Sequence, residues 1–133
     1  MDTIKKGMSV LSDIKKKHVE FKQLQDIKDY AVNNDLNPTE LSECLVKMCA
    51  YIFRIGVLTA ELTNKANESY VYRKMRYMYS YSTLGNEIKT KEKEALATQS
   101  IEEQYESELV NRFVADYMKN LYDDYSRLIS VLQ

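Results

Sequence analysis

Residues 70–81 alternate aromatic rings with positive charges, a mixture that an ordinary helix core does not need. Five tyrosines and three cations occur in these twelve positions. Proteins that hold single-stranded nucleic acid use cations to follow the phosphates and aromatic rings to stack on the bases. The pattern therefore makes this stretch the candidate binding site. The residues expected to contact phosphates are Arg73, Lys74 and Arg76, and those expected to stack are Tyr72, Tyr77 and Tyr79.

At helical spacing these tyrosines form two rows: Tyr70, Tyr77 and Tyr81 on one face, and Tyr72 and Tyr79 on another. The cations lie between the rows. The alternative interpretation is a seam between two helices, in which the rings pack and their hydroxyl groups reach its wet edge. Met75 and Met78 would suit such a seam, so the sequence leaves both interpretations open.

Charge is distributed unevenly along the chain, although the net charge is only −1. Residues 65–93 carry seven basic and three acidic side chains, whereas residues 101–133 carry seven acidic and three basic ones. The first segment could attract an anionic ligand, and Lys89 and Lys91 extend the candidate site to its far end. The two segments could instead pair with each other by charge inside a helical hairpin.

One long helix, predicted over residues 38–84, must position the candidate site. Asn37 can cap it, Pro38 suits its first position, and Glu40 can reach back to the N–H of the capping residue. The next strong stop is Gly85, which suits a left-handed residue just past a helix end. Such a helix would be about 70 Å long, which favours a rod packed against partners.

A return helix is predicted over residues 90–132, with Thr90 as its cap. Residues 1–34 form a further helical segment, either one helix or two with a break near Lys17. The expected fold is all-α: one domain over residues 1–133, built as a long, coiled-coil-like helical hairpin. Because this hairpin has too few layers to bury both apolar stripes, we expect the protein to form homo-oligomers.

No constellation of residues in the sequence supports catalysis. His18 is the only histidine, and no phosphate-binding glycine loop or nucleophile motif occurs. Cys44 and Cys49 point in different directions on one helix, which argues against a disulfide. Two cysteines alone make no zinc site. We therefore expect a binding protein without enzyme activity, metal or cofactor. A cytoplasmic location fits the reduced cysteines and the lack of an apolar run that could cross a membrane.

The pattern over residues 45–132 resembles a group of small helical phage proteins, among them recombination mediators of the UvsY type. The matching segments are residues 55–61, 70–74, 90–95 and 128–132. The resemblance implies a helical, ring-forming oligomer that binds single-stranded DNA and helps to load a recombinase in place of a single-strand-binding protein. Arg73, Lys74 and Arg76 match the basic positions of that group.

Two other functions fit the sequence. A phage-encoded inhibitor of a host enzyme or defence complex could use the acidic face of the return helix and bind no nucleic acid. That face carries Glu102, Glu103, Glu106, Glu108, Asp116 and Asp124. A structural coiled-coil component would instead need neither charged surface.

Overall fold

The computed structural model describes residues 2–133, and this range is helical throughout apart from short connections. The helices are α1 (Thr3–Lys17), α2 (Glu20–Asn33), α3 (Pro38–Ser82), α4 (Thr90–Ser100) and α5 (Glu102–Leu132). The described range contains no strand. The predicted all-α class is therefore confirmed.

The start of α3 follows the sequence prediction, and its end does not. Asn37 Oδ1 accepts a hydrogen bond of 2.8 Å from the Glu40 N–H, and Pro38 occupies the first turn. Glu40 returns to the side-chain amide of Asn37 and not to its N–H. The helix spans 45 residues, roughly 68 Å.

The prediction of a left-handed glycine just after the end of α3 is wrong. No glycine among residues 2–133 has a positive φ. The helix ends at Ser82, because two hydroxyl groups and one backbone N–H satisfy its last carbonyls. Ser82 Oγ and the Thr83 N–H donate to the Tyr79 carbonyl at 2.9 and 3.1 Å, and Thr83 Oγ1 donates to the Ser80 carbonyl at 2.9 Å. With these carbonyls satisfied, Gly85 is not needed as a cap.

The predicted return helix is two helices, separated at Ile101. Ser100 Oγ donates to the Ala97 carbonyl at 2.6 Å, which offers the backbone an alternative to the helical ladder. Ile101 leaves helical geometry, with φ −113° and ψ 11°, and its side chain is buried. Thr90 is not the cap of α4 either: Lys89 holds that position without a side-chain hydrogen bond.

The N-terminal segment forms two helices that pack on different partners. A break at His18 and Val19 separates α1 from α2, close to the predicted position. α1 contacts α5, and α2 contacts α3. The lysine-rich end of α1 thus lies beside α5, where Lys15 Nζ is 3.0 Å from the Tyr117 hydroxyl.

The main core lies where α3, α5, α1 and α2 come together. α3 and α5 run in opposite directions, because Asn67 contacts Arg112 whereas Gly56 faces Tyr122. The buried core residues are Leu11, Leu24, Met48, Ile52, Ile55, Val114, Met118, Tyr125 and Ile129. Residues 70–81 lie beyond this cluster, in the half of α3 that continues toward α4.

Candidate nucleic-acid interface

The helical turn of α3 divides the predicted site residues among three sides. Each residue of an α-helix is rotated by about 100° from the previous one. Arg73 therefore points toward α5, together with the buried stripe of α3. Lys74 and Tyr77 lie toward the groove beside α4 and α5, whereas Tyr72, Arg76 and Tyr79 lie on the opposite flank. The stretch is thus not one continuous surface.

Arg73 is held inside the protein by Glu108. Its Nε donates to the Glu108 carboxylate, and the two side chains are only 18% and 12% exposed. The guanidinium also lies 5.3 Å from the ring centroids of both Tyr70 and Tyr105. The hydrogen bond with Glu108 raises the pKa of Arg73 above its ordinary value. The positive charge is therefore compensated within the chain, and Arg73 links α3 to α5.

Lys74 and Tyr77 line a groove of about 360 Å³ between α3, α4 and α5. The Lys74 ammonium lies 5.5 Å from the Tyr70 ring centroid. Tyr77 is half-buried and stacks on Tyr81, with 6.4 Å between ring centroids and 24° between ring planes. Lys93 of α4 lies 5.7 Å from the Tyr81 ring. On this side of α3, the tyrosines pack between helices, as the alternative interpretation of a helix seam predicts.

The opposite flank of α3 carries Lys65, Tyr72, Arg76 and Tyr79, all exposed; these four residues are called the outer row. The Tyr72 and Tyr79 side chains are 56% and 70% exposed. Arg76 and Lys65 make no ion pair with any carboxylate in residues 2–133. The row spans about 21 Å along the helix. The sequence placed Lys65 in the basic segment 65–93 but not among the candidate site residues, although it lies two helical turns before Tyr72.

Lys89 and Lys91 lie at the start of α4, on a different helix from the outer row. Lys89 caps α4 and Lys91 belongs to its first turn. Both side chains are exposed. Their charges remain available to an anion that follows the end of α3.

The predicted acidic face loses two of its carboxylates to contacts with other helices. Glu108 pairs with Arg73, and Glu106 pairs with Lys6 of α1. The hydrogen bond from Lys6 lowers the pKa of Glu106. Of the remaining members, Glu102 and Glu103 are exposed neighbours at the start of α5. Asp116 and Asp124 are also exposed, farther along the helix.

The chain matches no protein-family model, no curated protein and no solved structure. Similarity to recombination mediators therefore stays an expectation from the sequence pattern. Within residues 2–133, no helix has both the length and the apolar character to span a bilayer. The same range contains no cluster of three or more side chains that could hold a metal ion.

Proposed function

We propose that this protein binds single-stranded DNA through the outer row of α3 and acts as an accessory, mediator-like factor in phage recombination or replication. The observation that supports this proposal is the exposure of Tyr72 and Tyr79 beside two cations without internal carboxylate partners. The proposal includes a coiled-coil-like pairing of α3 and α5 and the assembly of several copies.

The outer row has the two elements that sequence-independent binding needs. Tyr72 and Tyr79 offer faces on which bases can stack, each worth about 1–3 kcal/mol. Lys65 and Arg76 can neutralise phosphates, and each would contribute about −0.7 to the slope of log K against log salt concentration. Arg73 contributes neither element directly, because Glu108 compensates its charge.

Fluorescence anisotropy with a labelled oligo(dT) at several salt concentrations tests the proposal. We expect binding with a salt slope of about −1.4 per chain from the outer row, steeper if Lys89 and Lys91 also contact the strand. Tyr72→Ala with Tyr79→Ala should weaken binding at least tenfold, given about 1–3 kcal/mol per stacked base. Arg76→Gln should reduce the slope by about 0.7.

Tyr30→Ala is the matched control, because Tyr30 is an exposed tyrosine on α2, 51% exposed, and outside the outer row. Its removal should leave the affinity for oligo(dT) unchanged. Equal weakening by Tyr30→Ala and by the outer-row variants would contradict a specific surface. No anisotropy change at micromolar protein in low salt would refute DNA binding altogether.

The inhibitor hypothesis predicts that a different surface of the same protein binds the partner. Its surface would centre on Glu102 and Glu103, whose charges are exposed at the start of α5. Glu102→Lys with Glu103→Lys should abolish binding to a basic protein partner while leaving oligo(dT) binding intact or stronger. Glu106 is unsuitable for this test, because its reversal would also break the contact with Lys6.

A further inference from the structure

α3 has a second apolar face, opposite the one that enters the core. Its members recur at three- and four-residue steps within residues 46–60 and again within residues 71–78, and all of them are exposed. We call them the outer stripe: Val46, Ala50, Phe53, Val57, Ala60, Val71, Met75 and Met78. Phe53 and Val46 are each 71% exposed, and Met78 is 69% exposed. A helix that is apolar on two opposite faces requires a partner on each, and nothing in residues 2–133 covers the outer stripe.

The charges beside the outer stripe differ between its two flanks. One flank carries Lys47, Arg54, Glu61 and Glu68 at seven-residue steps. The other flank carries Cys49, Gly56 and Thr63 at the corresponding positions, without charge. In a parallel pair of α3 helices the charged flank of one copy would face the uncharged flank of the other. In an antiparallel pair, charged flank faces charged flank.

We propose that residues 46–71 of the outer stripe bind the same residues of a second copy of this chain, with the two α3 helices antiparallel about a twofold axis. With the axis between residues 57 and 58, Lys47 lies opposite the second copy's Glu68, and Arg54 lies opposite its Glu61. One register therefore creates both oppositely charged pairs, and symmetry creates each pair twice. The same register brings Val46 toward Val71 of the second copy.

Arg54 can form the proposed contact with the second copy, although it also lies near a carboxylate of its own chain. Its guanidinium lies 3.6 Å from Glu20 of α2, but the side chain is 72% exposed. Lys47 and Glu68 make no ion pair within residues 2–133. The stripe is interrupted by Asn64 and Glu68 between its two apolar parts, so the pairing is not uniformly apolar.

A charge exchange between positions 47 and 68 tests the register. Within one chain these positions lie on the same helix, about 31 Å apart, so they cannot pair there. Lys47→Glu and Glu68→Lys should each weaken dimerisation about tenfold in sedimentation equilibrium, since each places like charges in two symmetric contacts. The double variant should restore nearly the original dissociation constant. The proposal would be overturned if the two losses of dimer affinity multiplied in the double variant, or if the wild-type chain stayed monomeric.

Disulfide trapping provides a second test that does not depend on the strength of ion pairs. In a Cys49→Ser background, which keeps only the buried Cys44, an equimolar mixture of the Val57→Cys and Ala60→Cys variants should give a covalent dimer on mild oxidation. Phe53→Cys is the matched control, because position 53 meets its counterpart in a parallel pair but not in the antiparallel one. Efficient trapping through position 53, or no trapping through positions 57 and 60, would contradict the antiparallel arrangement.

This inference does not depend on the proposed function. The outer stripe and the outer row lie on neighbouring but different sides of α3. Loss of oligo(dT) binding in Tyr72→Ala with Tyr79→Ala leaves the dimerisation test unaffected. A monomeric chain that still binds oligo(dT) would refute the dimer and the assembly of several copies, but DNA binding through the outer row would stand.

Discussion

Replacing one member of the Arg73–Glu108 pair should destabilise the protein more than replacing both. The three variants are Arg73→Met, Glu108→Met and their combination. Each single change leaves the other charge in a site where the side chains are only 18% and 12% exposed. Removing one partner of a fully buried pair costs about 3–5 kcal/mol, whereas replacing both by apolar side chains is often neutral.

The partial exposure of both side chains reduces the expected loss for Arg73→Met to about 2–3 kcal/mol. The loss for Glu108→Met should be smaller, about 1–2 kcal/mol, because the remaining guanidinium keeps two aromatic neighbours that each contribute about 0.5–1 kcal/mol. Those neighbours are Tyr70 and Tyr105, each 5.3 Å away. The double variant should lie within about 1 kcal/mol of the original protein.

Urea unfolding followed by circular dichroism measures these free energies, and an unchanged m-value shows that the unfolded states are comparable. The coupling energy of the double-mutant cycle should be at least about 1 kcal/mol, within the range for residues in contact. Simple additivity of the two losses would refute the internal pair. So would an Arg73→Met variant of unchanged stability that binds oligo(dT) more weakly, because Arg73 would then serve the ligand.

Two further variants test the contacts of α1. Gly7→Ala should destabilise the protein by about 1–2 kcal/mol, because the new methyl group would overlap the Phe113 ring and overpacking outweighs the better helix propensity. In thermal unfolding, Gly85→Ala is its control, since its methyl group would meet only a movable carboxylate; equal melting temperatures for the two would contradict the α1–α5 packing. Lys6→Met should lose stability relative to the original protein above the ordinary carboxyl pKa of 4.5, and that difference should vanish as the pH falls through the lowered folded-state pKa of Glu106. A difference in unfolding free energy that is unchanged down to low pH would exclude this ion pair as its cause.

Local sequence signals were sufficient for the helix class and for the start of α3. The Asn37-Pro38 pair acts through neighbouring backbone atoms, so its effect does not depend on the rest of the fold. The break at Ile101 was not predictable in this way. It depends on Ser100, whose hydroxyl bonds both to its own helix and to Ser80 of α3, 2.9 Å away. The contact with Ser80 joins segments that lie far apart in the sequence, so no local signal shows it.

The candidate site was predictable in composition but not in arrangement. The sequence placed Arg73 with Lys74 and Arg76, because adjacent cations suggest one basic patch. Their rotation about the helix separates them, and the carboxylate that pairs with Arg73 lies on another helix. Only the tertiary fold could show which cation was compensated. Tyr72 and Tyr79 remain exposed, whereas Tyr77 became part of the seam that the sequence had left as an alternative.

The outer stripe is not evident from the sequence because α3 has apolar residues on two opposite faces. The stripe through Met48, Ile52 and Ile55 has clear helical periodicity, and the fold buries it. A second stripe half a turn away reduces the contrast between faces, which makes the helix resemble one that is buried all round. The structure separates the two stripes, since α2 and α5 cover one and leave Phe53 and Met78 exposed. A helix with two apolar faces has more apolar surface than its own chain covers, and the antiparallel dimer proposed above would give residues 46–71 of the outer stripe a partner.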